Sequence, residues 1–89
     1  MGTLRLSINM KTKVTLDQLR PTEAGIVDSY AVHNDTTHRL REMGLVPGTR
    51  VSVKRLAPLG DPMELTLRGY NLSIRLEDAR HIRVLSDTL

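Results

Sequence analysis

From Thr49 onward the chain alternates apolar and polar residues with a period of two. Val51 and Val53 point one way, and Arg50, Ser52 and Lys54 the other. Met63, Leu65 and Leu67 alternate with Glu64, Thr66 and Arg68, and Leu72 and Ile74 with Ser73 and Arg75. Successive side chains on a strand face opposite sides, so each run predicts a half-buried strand. Ile82 and Val84 predict a closing strand. Upstream, residues 23–30 read as a further strand carrying Ile26 and Val27, where Gly25 allows a bulge or a close backbone approach.

The period changes once. Leu40 and Met43 lie three apart, on one face of a short helix. Asn34 or Asp35 can cap it, because a short side-chain oxygen satisfies an orphan N–H. Gly44 is placed to stop the helix in the left-handed conformation, Leu45 then folds back, and Pro47-Gly48 makes a turn. Leu16-Asp17-Gln18-Leu19 reads as a single turn that Pro21 ends, and residues 76–79 as another. Gly69-Tyr70 with Asn71 predicts a tight hairpin. Ala57-Pro58-Leu59-Gly60-Asp61-Pro62 is a loop stiffened by its prolines. Five to six short strands and one short α-helix cannot form an open sheet covered on both faces. Closure removes exposed edges, so the fold class is mainly β, a small SH3-like barrel.

Composition narrows the reading. The 89 residues suit one domain, with no Phe, no Trp and no Cys, and with Tyr30 and Tyr70 the only aromatics. The core is therefore aliphatic, and thiolate zinc sites, disulfides and cysteine nucleophiles are excluded. A cysteine-free domain held by aliphatic packing suits a reducing cytosol. No stretch approaches the ~20 apolar residues that span a bilayer. Nothing at the start reads as a signal peptide, since Arg5, Ser7 and Asn9 interrupt Leu4, Leu6 and Ile8. Residues 1–13 are expected to be an extension or leader, although the alternation within 1–9 also suits an edge strand. The barrel is expected over 14–85 and a tail over 86–89.

The order and spacing of several segments carry a resemblance. They are Leu16-x-x-Leu19-Arg20-Pro21, Gly25-Ile26-Val27, Leu40-x-x-Met43-Gly44-Leu45-x-Pro47-Gly48, the Ala57–Pro62 loop and Gly69-Tyr70-x-Leu72-Ser73-Ile74-Arg75. In these the chain resembles FeoA-type ferrous iron transport proteins, from about Val14 to Val84. It is also similar to the C-terminal SH3-like domain of diphtheria-toxin-repressor-type regulators, without a helix-turn-helix before it. The resemblance implies an SH3-like barrel and a cytoplasmic, non-enzymatic accessory role, peripheral to the inner membrane through its partner, the ferrous iron transporter FeoB with its GTPase domain. Thr22 departs from the family, which often has Gly after Pro21. The Asn34-Asp35-Thr36-Thr37-His38 loop is more polar than the family's.

The candidate chemistry is sparse. No nucleophile elbow and no phosphate-cradling glycine loop is present, so GTP chemistry belongs to a partner. His33, Asp35, His38 and Glu42 form a candidate metal set, with His38 and Glu42 at i and i+4 on one helical face. Imidazole with carboxylate suits zinc or iron, at a surface or dimer-bridging site, with no cofactor required. The alternative is a capped helix with a surface His–Glu pair. Arg50, Lys54, Arg55, Arg68, Arg75 and Arg83 sit at outward strand positions within a net charge of +3. They allow a second function class, a small nucleic-acid-binding barrel, but two tyrosines are poor stacking material for single strands. Docking on a protein is the favoured class. Arg39, Leu40, Arg41, Met43, Leu45 and Leu59 are its candidate contacts, the leucines and Met43 for affinity and the arginines for orientation.

Overall fold

The computed structural model describes residues 12–87. Strands β1 (Thr12–Thr15), β2 (Ala24–Tyr30), β3 (Arg50–Leu56), β4 (Met63–Leu67), β5 (Tyr70–Ile74) and β6 (Ile82–Ser86) form one sheet. A 3-10 turn spans Leu16–Gln18, helix α1 spans Asp35–Glu42, and a one-turn helix α2 spans Leu76–Ala79. The strand order is β1-β6-β2-β3-β4-β5, every pairing antiparallel. The sheet curls around its own apolar face as an SH3-like barrel. β1 and β5 end the order with one hydrogen-bonded neighbour each. These edges are short, four and five residues, which limits pairing with another chain. β1 begins at Thr12 and β6 runs to Ser86, just outside the 14–85 expected for the barrel. The leader or edge-strand reading of residues 1–9 lies outside the described residues.

The predicted alternation sets the burial. Val51 and Val53 on β3, Met63, Leu65 and Leu67 on β4, and Ile82 and Val84 on β6 are all buried. Leu16 and Leu45, outside the strands, join this core at zero exposure. Each such side chain contributes about 1.5–3 kcal/mol by leaving water.

Two register shifts break the alternation. On β2 the pairing with β6 slips between Val27 and Ser29, leaving Asp28 as the extra residue. On β3 the pairing with β4 slips between Val53 and Arg55, around Lys54. Gly25 is not a bulge but a close approach: a Cβ there would lie 2.7 Å from the Leu85 carbonyl oxygen. The β4–β5 turn is Arg68-Gly69, not Gly69-Tyr70. Leu67 pairs with Tyr70, and φ is 48° at Arg68 and 84° at Gly69. Positive φ at both central residues is the I′ pattern, whose twist matches that of the flanking strands.

The turn after the 3-10 helix, just before β2, is bonded to β3. Glu23 N–H donates to the Arg20 carbonyl at 2.9 Å, with Pro21 and Thr22 between them. Thr22 N–H donates to the Val53 carbonyl, and Val53 N–H donates to that of Glu23, each at 2.9 Å. Proline second and a positive φ of 74° third make this a type II turn. Thr22 thus takes the left-handed third position that glycine usually fills in such a turn.

Candidate functional site

Helix α1 and the loop between β3 and β4 hold most of the candidate residues. Of the two possible caps, Asn34 serves: its Oδ1 accepts from Thr37 N–H at 3.0 Å. Thr37 Oγ1 in turn accepts from Asn34 N–H at 2.9 Å. The helix ends in a Schellman arrangement, with Gly44 N–H donating to Arg41 and Leu45 N–H to Leu40, and with φ of 112° at Gly44.

Both tyrosines grip this exit. Tyr30 O–H donates to the Leu45 carbonyl at 2.7 Å, and Tyr70 O–H donates to the Met43 carbonyl. Burial pushes the Tyr30 phenol up to about 12, against the opposing pull of the Arg41 guanidinium. Arg41 lies 5.2 Å from the centre of the Tyr30 ring. Its Nη1 is 3.4 Å from His33 Nδ1.

This geometry sorts the docking candidates. Leu40 and Leu45 are core residues, 6% and 0% exposed. Both belong to the core in this structure, unlike Leu59 and Met43, which are exposed. Arg41 is drawn back onto Tyr30 and His33. Arg39 and Met43 remain exposed on the helix and its exit. Leu59 is 97% exposed. Its loop is held by backbone bonds, Ala57 N–H to Pro62 and Gly60 N–H to Ala57, and Asp61 Oδ1 accepts from Leu76 N–H at 3.0 Å. The loop thus presents an apolar tip at little ordering cost.

Beside that tip runs a groove of about 470 Å³, walled by Leu56, Ala57, Pro58 and Pro62, with Arg55 and Glu64 at its polar side. Sequence reasoning missed Leu56, which is 38% exposed. The signal was the consecutive Lys54-Arg55, where alternation fails and the bulge turns the end of β3 outward.

The four candidate metal ligands do not assemble. His38 Nε2 and Glu42 Oε2 are 3.4 Å apart, both side chains 66% exposed. His33 faces Arg41, and Asp35 sits in the first turn of α1. Among the described residues no three His, Asp or Glu side chains come together as a metal site. The outward bases are partly spoken for. Arg50 pairs with Asp87, Lys54 and Arg55 share Glu64, and Arg83 donates to Ser29. No helix among the described residues is long and apolar enough to cross a membrane.

Comparison with known proteins gives one family. A family model described as the FeoA domain matches residues 14–85. A curated relative, the Fe(2+) transport protein A/Fe(2+) transporter FeoB fusion protein of Porphyromonas gingivalis, is 46% identical over 46 residues. That match covers 52% of this chain and only 6% of the fusion protein. The solution structure of the FeoA protein from Chlorobium tepidum is 36% identical, covers 81% of this chain and 69% of that one, and superposes with a TM-score of 0.76. The crystal structure of Stenotrophomonas maltophilia FeoA complexed with zinc is 27% identical over 80% of this chain and 88% of that one, TM-score 0.69. The fold alone is shared with T. acidophilum IdeR, at 22% identity over 85% of this chain and 35% of that one, TM-score 0.75.

Proposed function

Because the chain belongs to the FeoA domain family across residues 14–85, we propose that it is an accessory or regulatory protein of ferrous iron uptake, docking on the cytoplasmic GTPase domain of a FeoB-type membrane transporter. The observation that carries this reading is the Porphyromonas gingivalis relative, in which a homologous segment is part of one polypeptide with the transporter. Covalent fusion holds two modules at high effective concentration, which is useful where they meet in function. In this reading the chain lies in the cytoplasm, peripheral to the inner membrane through its partner, and performs no catalysis of its own. Leu59 and Met43 supply apolar contact, and Arg39 sets orientation against acidic groups. A divalent transition metal, zinc or iron, belongs to the reading as an adjunct at a surface or dimer-bridging site. It is not a required cofactor.

The test is a pull-down of the full chain against the cytoplasmic domain of its transporter, with generic RNA in parallel, at low and high salt. Capture of the transporter domain that survives high salt, with no RNA retained, is the expected result. Retention of RNA alone, lost steeply as salt rises, overturns the assignment, because phosphate binding is driven by counterion release, which added salt opposes.

A further inference from the structure

Two exposed apolar side chains meet at the exit of α1. Met43 is 37% and Tyr70 41% exposed. The Tyr70 O–H donates to the Met43 carbonyl, so the end of the helix is pinned to the first residue of β5. A Cβ on Gly44 would lie 3.5 Å from Leu67 Cδ1, which brings the end of β4 against the same joint. The Tyr70 ring is thus fixed in place with part of its surface open to solvent.

The charge around this pad has one sign. Arg39 stands one helical turn before Met43, on the same side of α1, and is exposed. Arg68 stands two residues before Tyr70 in the hairpin, and its Nη2 donates to Thr49 Oγ1 at 3.2 Å. Neither guanidinium has a carboxylate partner among the described residues, whereas Arg50, Lys54 and Arg55 each have one. Glu42, next to Met43 in the chain, is paired with His38. The docking reading uses Met43 and Arg39; the fold joins Tyr70 and Arg68 to them.

We propose that Met43, Tyr70, Arg39 and Arg68 form one pad for an acidic segment of the partner, an apolar side chain seated on Met43 and Tyr70 and carboxylates reaching the two guanidiniums. This rests on the docking reading above and names the chemistry of the segment. Arginine suits the role, since its planar fork meets a carboxylate through two hydrogen bonds. The fixed Tyr70 ring loses little freedom on contact. An anionic bilayer fits less well, because stable attachment there takes a lipid chain or a larger basic cluster than two free arginines. The pad and the Leu59 tip lie at opposite ends of β4, whose five residues span roughly 17 Å at about 3.4 Å each. At that distance changes at the two places should add independently.

The experiment measures association and dissociation of the full chain on the immobilised cytoplasmic domain of its transporter, at low and high salt. Three variants are compared with the parent: Arg39→Gln with Arg68→Gln, Met43→Gln, and Arg20→Gln with Arg80→Gln, which removes the same charge outside the pad. All five side chains are exposed, so each variant should keep the melting curve of the parent. The paired change at Arg39 and Arg68 is expected to slow association about tenfold at low salt and to flatten its salt dependence, because such charges act mainly on encounter. Met43→Gln is expected to speed dissociation about fivefold with association unchanged. The change at Arg20 and Arg80 should move neither rate by more than about twofold, since salt screens distant charges. Rates unmoved by the change at Arg39 and Arg68 overturn the pad while docking elsewhere on the chain stands. Equal slowing by both arginine pairs also overturns it, as an effect of net charge alone. Binding to phosphatidylglycerol vesicles, run in parallel and lost with Arg39 and Arg68, assigns the pad to lipid and overturns the acidic segment. No capture of the parent chain overturns the docking reading, and the pad with it.

Discussion

At Thr22 a β-branched residue holds a left-handed backbone, φ 74°. Such a conformation costs a non-glycine residue about 1–3 kcal/mol. Its side chain is exposed and offers nothing in return, whereas its N–H bond to Val53 belongs to the backbone. Thr22→Gly is expected to stabilise the domain by about 1 kcal/mol, after the entropy that glycine loses on folding. The urea midpoint should rise with an unchanged slope, and a lower midpoint would contradict the argument. Tyr30 makes an opposite case. Its folded-state pKa is about 12 against 10.0 for the free phenol. The stability from keeping this phenol neutral is fully present below pH 10 and is lost as pH climbs through about 12. Tyr30→Phe should flatten alkaline unfolding across that window. It should cost about 1–3 kcal/mol at neutral pH, because the Leu45 carbonyl loses its phenol donor. The sequence marked Tyr30 as one of two aromatics but left its donor bond to a residue fifteen positions away unreadable.

Elements came through the sequence better than the joints between them. Alternation located β3 to β6, and the Asn34 to Gly44 spacing located α1. Each bulge left only a pair of consecutive polar residues, Asp28-Ser29 and Lys54-Arg55, which in a sequence looks the same as the end of a strand. The hairpin was misplaced by one residue, since Arg68 is an unusual choice for positive φ and drew attention to Gly69. On the helix Leu40 turns into the core while Met43, three residues on, is 37% exposed, and core and contact residues look alike in a string of letters. The exit of α1 shows what tertiary structure adds. A Cβ on Gly44 would lie 2.7 Å from the Tyr70 hydroxyl, at a φ of 112°. Gly44→Ala is expected to cost about 2 kcal/mol, by backbone strain and by pushing Tyr70 off the Met43 carbonyl. In a Tyr70→Phe background the same change should cost less, and the gap between the two measures the coupling.

On the scale of the whole molecule, stability and contact sit in separate places. Val53 is 2% exposed and Leu59 is 97% exposed. Val53→Asp buries an unpaired carboxylate and should leave no cooperative unfolding transition. Leu59→Glu should keep the melting curve of the parent and weaken capture of the transporter domain about tenfold or more, the range of an interface residue whose truncation costs over about 1.4 kcal/mol. A folded Leu59→Glu chain with undiminished capture would remove the loop tip from the interface.

The chain carries no tryptophan, and its two tyrosines both end on carbonyls of the α1 exit. Its ultraviolet emission therefore comes wholly from phenols lodged at one joint. The protein is its own unlabelled fluorescent gauge, and whatever loosens that joint will change its light before it changes its shape.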